Sequence, residues 1–201
     1  MALFRLTSAP DTSPLVRGDG LYMRHAGLGD FDEWAALREA SREFLTPWEP
    51  IWPSDDLTRA AFRRRLRRYR EERIDDEAEH FLIFRNRDQA LVGGLSVGNI
   101  RRGVAQAATL GYWMGMPHAG QGHMTRAVRA IAGYGFANLR LHRLEAACIP
   151  ENAPSARLLE RNGFRHEGTA RAYLRINGAW RDHSLYALLE SDAAPALTRQ
   201  A

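Results

Sequence analysis

The sequence contains no lysine: all 28 of its basic residues are arginine. A Schiff-base lysine, a pyridoxal phosphate site and a Walker A phosphate loop are thereby excluded. Cysteine is almost as scarce. Cys148 stands alone, which excludes a disulfide framework within the chain and any multi-cysteine zinc site. No apolar run reaches the length of a membrane span. The opening MALFRLTSAPD lacks the apolar stretch of a secretory signal. A cytoplasmic protein without a membrane partner is the default expectation.

What is present fits a folded domain. The 201 residues are 45% hydrophobic and 26% charged, the balance of one globular domain of ordinary size. The net charge of +4 is unevenly placed. Residues 59–70, RAAFRRRLRRYR, hold seven arginines and no acid, so the remainder of the chain sums to −3. A local basic block of this kind is either a solvated helix face or a partner surface.

Residues 1–19 lack periodicity and read as a flexible tail, and so do residues 191–201. Between them lies one domain, 20–190. A short strand is expected at Leu21–His25. A helix follows from Phe31, capped by Asp30 and ended by Pro47, and a second helix is capped by Ser54 or Asp55. Strand patterns occupy His80–Phe84, Leu91–Val97 and Ala107–Met114. Gly122 opens a long helix, Leu144–Ile149 is a strand, and Ala153–Arg161 a short helix. The last two strands, roughly Ala172–Ile176 and Trp180–Leu188, flank Asn177-Gly178, a hairpin signal. The order predicts an α/β (α+β) fold with a mixed sheet in a single domain.

The stretch Leu110–Thr125, LGYWMGMPHAGQGHMT, carries the clearest chemistry. A strand runs into a turn bearing Gly120 and Gly122, and a helix starts at once. Glycine permits a close backbone approach, and the first amides of a helix lack intrahelical partners. Together they suit a phosphate, at ~0.3–1 kcal/mol per exposed contact with the helix dipole. The same pattern also serves as a plain strand–helix turn. In the second segment, PENAPSARLLERNGFRHEG, Asn152 and Ser155 stand where a strand gives way to a helix, and either suits a helix cap.

Together the two segments resemble the GNAT acetyltransferase superfamily, from about Leu21 to Leu188. The RimJ/RimL group, which acetylates the N-termini of ribosomal proteins, is the most similar, and within it the RimJ branch. Glu43 to Pro50 (EFLTPWEP), Asn99 to Gly103 (NIRRG), Leu110-Gly111-Tyr112 and Asn177 to His183 (NGAWRDH) carry the likeness. It implies a central mixed, mostly antiparallel sheet of about seven strands flanked by about four helices. It implies acetyl-CoA as co-substrate, no metal, and direct transfer to an amine in a ternary complex. By resemblance, Trp113 and Met114 line the pantetheine arm. Gly120, Gln121, Gly122, His123, Met124 and Thr125 hold the pyrophosphate, and Asn152 contacts the pantetheine or thioester end.

Two departures matter. The superfamily's Q/R-x-x-G-x-G/A pattern reads Ala119-Gly120-Gln121-Gly122-His123-Met124 here, a change backbone donors survive. The tyrosine general acid of many GNATs falls near Leu159, which has no proton to give, so Ser155 is the nearest substitute. Glu49 and Glu145 are the candidate bases. Glu49 is alternatively a ligand for the substrate ammonium, and Trp48 and Trp52 either wall the acceptor pocket or pack under its loop. Cys148 reads as core, and Asp182 with His183 as a structural hydrogen bond. His118 and His123 lack metal-ligand spacing.

Three functions are thus carried forward. The first is N-terminal acetylation of a protein, a ribosomal protein starting with alanine. The second is acetylation of a small amine such as an antibiotic or polyamine. The third is a ribosome-associated RNA-binding protein with a vestigial fold, contacting ribosomal RNA through Arg59–Arg70. A monomer and a homodimer are both compatible with the sequence.

Overall fold

The computed structural model describes residues 13–197, and for 194–197 the backbone alone. Strands β1 (Val16–Gly18) and β2 (Leu21–Arg24) form a hairpin and lead to helices α1 (Phe31–Ala40), α2 (Arg42–Leu45) and α3 (Arg59–Ile74). Then come β3 (Glu79–Arg85), β4 (Leu91–Arg101), β5 (Ala107–Met114) and α4 (His123–Ala137). The chain closes with β6 (Arg143–Cys148), α5 (Ala153–Arg161), β7 (Arg165–Ile176), β8 (Ala179–Leu189) and α6 (Glu190–Leu197). The strands make one sheet in the order β1-β2-β3-β4-β5-β6-β8-β7. Every pairing is antiparallel except β5 with β6.

Strand β3 shows why helices cover both faces. Phe81 and Ile83 point into the core under α4, with Val128, Ile131 and Phe136. Leu82 and Phe84 point the other way, against Trp34 of α1 and Phe62 of α3. A strand buried on both sides reads as a continuous apolar run, as FLIF does. Helix α4 buries Met124, Ala127, Val128, Ile131 and Phe136 along one side, the spacing of an amphipathic helix.

Several expectations are corrected. The sheet has eight strands and the described residues six helices, against about seven and about four. The extra strand, β1, lies in the stretch taken as a tail. Val16 is buried opposite Met23, and an Asp19-Gly20 turn with Gly20 at φ +69° folds it back. Helix α6 occupies part of the other expected tail, where Ala193 is buried and Asp192 accepts from Arg165 at 2.7 Å. Residues 1–12 and 198–201 of those tails lie outside the described residues. The cap of α3 is Thr58, which accepts from the Ala61 amide, while Asp55 and Asp56 pair with Arg64 and Arg65. Asp30 does not cap α1, because its carboxylate is taken by Arg24 and by the Gly27 amide. Strand β7 starts at Arg165, well before Ala172, and is irregular near Gly168 and Ala172. The Asn177-Gly178 turn forms as expected, with both residues at positive φ.

The sheet opens between β5 and β6. Their ladder runs only from Ala107↔Arg143 to Leu110↔Ala146. Beyond Leu110, β5 continues along β4, while β6 stays with β8. Two glycines of β4 let β5 hold this course. A Cβ on Gly93 would lie 2.4 Å from the Trp113 carbonyl oxygen, and one on Gly94 2.4 Å from its indole nitrogen.

Candidate active site

The wedge between the parting strands is a cavity of about 650 Å³. One end is built by the turn before α4. Gly120 and Gly122 have φ of +73° and +76°, and no side chain caps the helix. No acidic residue lies in its first turn, so nothing there competes with an anion. His123 Nδ1 faces the Arg126 guanidinium at 2.8 Å, and its buried Nε2 has no partner among the described residues. Burial, helped by Arg126, holds the imidazole below its usual pKa. Burial likewise lowers His118 on the cavity wall.

The shape of this turn depends on left-handed backbone rather than on side chains. A Cβ at Gly122 would meet only Arg126 Nη1 at 3.4 Å, so space is available and the strain is conformational. The left-handed region costs a non-glycine residue roughly 1–2 kcal/mol. A free turn relaxes, and a phosphate-bound one must restore its shape. Gly122→Val is therefore expected to weaken CoA binding about ten-fold by calorimetry, with little change in melting temperature. Unchanged affinity would show that the turn does not hold the phosphates.

The middle of the wedge carries the polar pair expected of a thioester site. Asn152 caps α5, its side chain accepting from the Ser155 amide at 3.1 Å. Ser155 Oγ lies 2.8 Å from the Tyr112 hydroxyl. Burial raises the Tyr112 phenol well above its ordinary pKa, and it raises the Cys148 thiol nearby. Leu159, at the place of the superfamily tyrosine, is fully buried core.

The other end is walled by the proline-rich loop and the β7–β8 hairpin. Arg38 Nη1 and Nη2 donate to Glu49 Oε1 and Oε2 at 2.8 and 2.7 Å, and Trp52 Nε1 donates to Oε2 at 2.7 Å. The Arg38 guanidinium lies over Trp52 and Trp113, 4.0 and 4.9 Å from the ring centres. The Glu49 carbonyl accepts from the Asn177 amide at 2.9 Å, tying the loop to the hairpin.

Most of the anticipated residues converge on this cavity. Trp48, Glu49, Trp113, Met114, Gly120, Gly122, His123, Met124, Thr125, Asn152 and Ser155 all line it. Two do not. The Gln121 side chain is exposed and donates to the Pro117 carbonyl at 3.0 Å. Glu145 lies where β5 and β6 are still paired, opposite Thr109, and is held by Arg101 and Arg143. Trp52 packs against Arg38 and Arg42 under the loop.

Tyr112, His183, Arg157 and Arg161 line the cavity without having been singled out for it. Strand alternation could have flagged Tyr112, two residues from Met114 on the same face of β5. Asp182 and His183 part company: Asp182 accepts from the Ala172 amide, while buried His183 bonds the Arg181 carbonyl at 3.0 Å. Among the described residues no cluster of His, Cys, Asp or Glu could hold a metal, and no helix is long and apolar enough to cross a membrane.

Comparison with known proteins agrees with this geometry. Residues 21–165 match the acetyltransferase (GNAT) domain family. The chain is 39% identical to the probable N-acetyltransferase YjcK of Bacillus subtilis, over 89% of this chain and 98% of that protein. It is 35% identical to the ribosomal protein uS5-alanine N-acetyltransferase of Escherichia coli, over 83% of this chain and 87% of that one. Mycobacterium smegmatis RimJ, solved in complex with CoA-disulfide, superposes with a TM-score of 0.83 at 30% identity and 93% coverage of each chain. The open sheet, the glycine turn and the cavity of about 650 Å³ between them fit acetyl-CoA as the co-substrate. The chain belongs to the GNAT acetyltransferase family and is an acetyltransferase related to the ribosomal-protein N-acetyltransferases.

Proposed function

We propose that this enzyme acetylates the N-terminal α-amine of a protein, a ribosomal protein beginning with alanine. The observation that carries the reading is the state of Glu49. Among the described residues it is the one carboxylate lining the cavity, and both its oxygens are committed to Arg38 and Trp52. A site without a free carboxylate base suits an amine that is already partly neutral. An α-amine, with a pKa of ~7.7–8.0, is one, and a lysine side chain, near ~10.4, is not. The relative that acts on uS5 alanine supports the choice of acceptor.

In this reading Trp113 and Met114 flank the pantetheine arm, and the backbone of Gly120–Thr125 with Asn152 fixes its two ends. The amine lone pair attacks the thioester carbonyl carbon, and the carbon–sulfur bond then breaks. Ser155 donates a hydrogen bond to the departing sulfur. The net transfer is one proton from the amine to the CoA thiol and one acetyl group from sulfur to nitrogen. Glu49 acts as a positioning residue for the loop carrying Trp48, which walls the acceptor end. The same reading makes this a cytoplasmic enzyme.

The arginine helix supports a ribosomal setting in a narrower form than the sequence implied. Arg59, Arg64, Arg65 and Arg68 are paired with Asp32, Asp55, Asp56 and Glu72. Arg63, Arg67 and Arg70 are exposed, make no ion pair among the described residues, and share one stripe of α3. That stripe is what remains for ribosomal RNA.

The test is a panel with acetyl-CoA: peptides starting with Ala, Ser or Met, a polyamine and an aminoglycoside. Alanine-led peptides are expected to be acetylated fastest. Turnover of the small amines without the peptides would overturn the reading. Acetyl-CoA binding without any transfer, alongside tight RNA binding, would favour the vestigial-fold alternative.

A further inference from the structure

We propose that Tyr112 is a positioning residue for acetyl transfer: its phenol donates to Ser155 Oγ and so turns the Ser155 proton into the cavity. The proposal rests on the reading of Ser155 as the group that faces the departing sulfur.

The geometry begins with the parting of the sheet. Tyr112 is on β5 beyond the last β5–β6 pair, so its hydroxyl reaches across the wedge rather than into a ladder. There it meets Ser155 on α5 at 2.8 Å, a bond between residues 43 positions apart that spans both walls. Ser155 is fixed from behind. Its amide donates to Asn152 Oδ1 at 3.1 Å, which leaves the hydroxyl rotor as its one adjustable group.

Which oxygen donates follows from acidity. A phenol is a far stronger acid than an aliphatic alcohol, hence the better donor, and the alcohol oxygen is the better acceptor. No other partner of the Tyr112 hydroxyl is present among the described residues. Burial raises the phenol's pKa, so it keeps its proton throughout the neutral range. With one lone pair of Ser155 Oγ occupied, its own hydrogen turns away from Tyr112. Ser155 lines the cavity together with Cys148 at the end of β6. Without Tyr112 the serine rotor has other wells to occupy, and the donor is aimed only part of the time.

The experiment is a double-mutant cycle on the full chain. Wild type, Tyr112→Phe, Ser155→Ala and the double variant are compared by release of CoA thiol from acetyl-CoA with an alanine-led peptide. Phe keeps the ring on the wall of the wedge. Melting temperature and CoA affinity, both expected to stay near wild type, show that each variant is folded. Tyr112→Phe is expected to lower kcat about ten-fold, the worth of one aimed hydrogen bond, with KM for acetyl-CoA unchanged. In the Ser155→Ala background the same change is expected to do nothing further, because two residues acting through one atom are not additive. An equal fall in both backgrounds, or no fall in wild type, would overturn the role of Tyr112. A Ser155→Ala enzyme with full kcat would instead overturn the reading of Ser155, so the two failures are told apart.

Discussion

Arg38→Ala is expected to cost about 3 kcal/mol of stability, at the lower end of what breaking a buried ion pair from one side costs. Arg38 is 8% and Glu49 20% exposed at their side chains, so the pair is largely withdrawn from water. Truncating the arginine removes two charge-assisted hydrogen bonds and leaves Glu49 with Trp52 Nε1 alone. It also removes the cation from over the Trp52 and Trp113 rings. For a chain of this length the loss corresponds to a fall in melting temperature of roughly 6–12 °C. The loop that walls the acceptor end loses its anchor, so KM for the peptide is expected to rise more than KM for acetyl-CoA. A control separates the pair from the packing. Arg38→Met with Glu49→Gln removes both charges and keeps the volume, and it is expected to recover much of the loss. A shift below about 2 °C for Arg38→Ala would mean that the pair does not hold the loop.

At pH 7 a peptide with a free α-amine is expected to be acetylated about two orders of magnitude faster than an Nα-blocked twin carrying one lysine. Roughly one α-amine in ten is neutral at that pH, against one lysine in a few thousand. Among the described residues no free carboxylate lines the cavity to make up the difference, because Glu49 is engaged and Glu145 lies elsewhere. The sign of the pH dependence follows. The neutral amine is the reactive form, so kcat/KM for the peptide rises with pH and levels off above the amine's pKa, near ~7.7–8.0. Burial lowers His118 and His123, which favours their neutral forms, and raises Tyr112 and Cys148, which favours their protonated forms. Equal rates for the two peptides, or a flat profile from pH 6 to 8, would show that the enzyme supplies a base of its own.

Local patterns were legible to the extent that the chemistry was local. Ala107–Met114 and Ala153–Arg161 were placed at their observed bounds, and the glycine turn lies where the spacing put it. Strand β1 was missed because three residues carry too little periodicity, although Asp19-Gly20 is a turn signal. Helix α6 was missed because its composition resembles a tail, and what holds it is contact with α4. Gly93-Gly94 could have been read as a close approach, but the indole that requires it lies on another strand.

The amino-acid sequence alone excluded lysine, disulfide and multi-cysteine zinc chemistry, and it located the glycine turn before α4 and the superfamily likeness. Tertiary structure decided the roles of the charged and hydroxyl groups. It bound Glu49 to Arg38, held Glu145 on Arg101 and Arg143, joined Tyr112 to Ser155 and divided the arginine helix into paired and unpaired faces. The physical reason is range. Backbone conformation at a turn is set by neighbours along the chain. The charge state, partner and reach of a side chain are set by groups that only folding brings within a hydrogen bond's length.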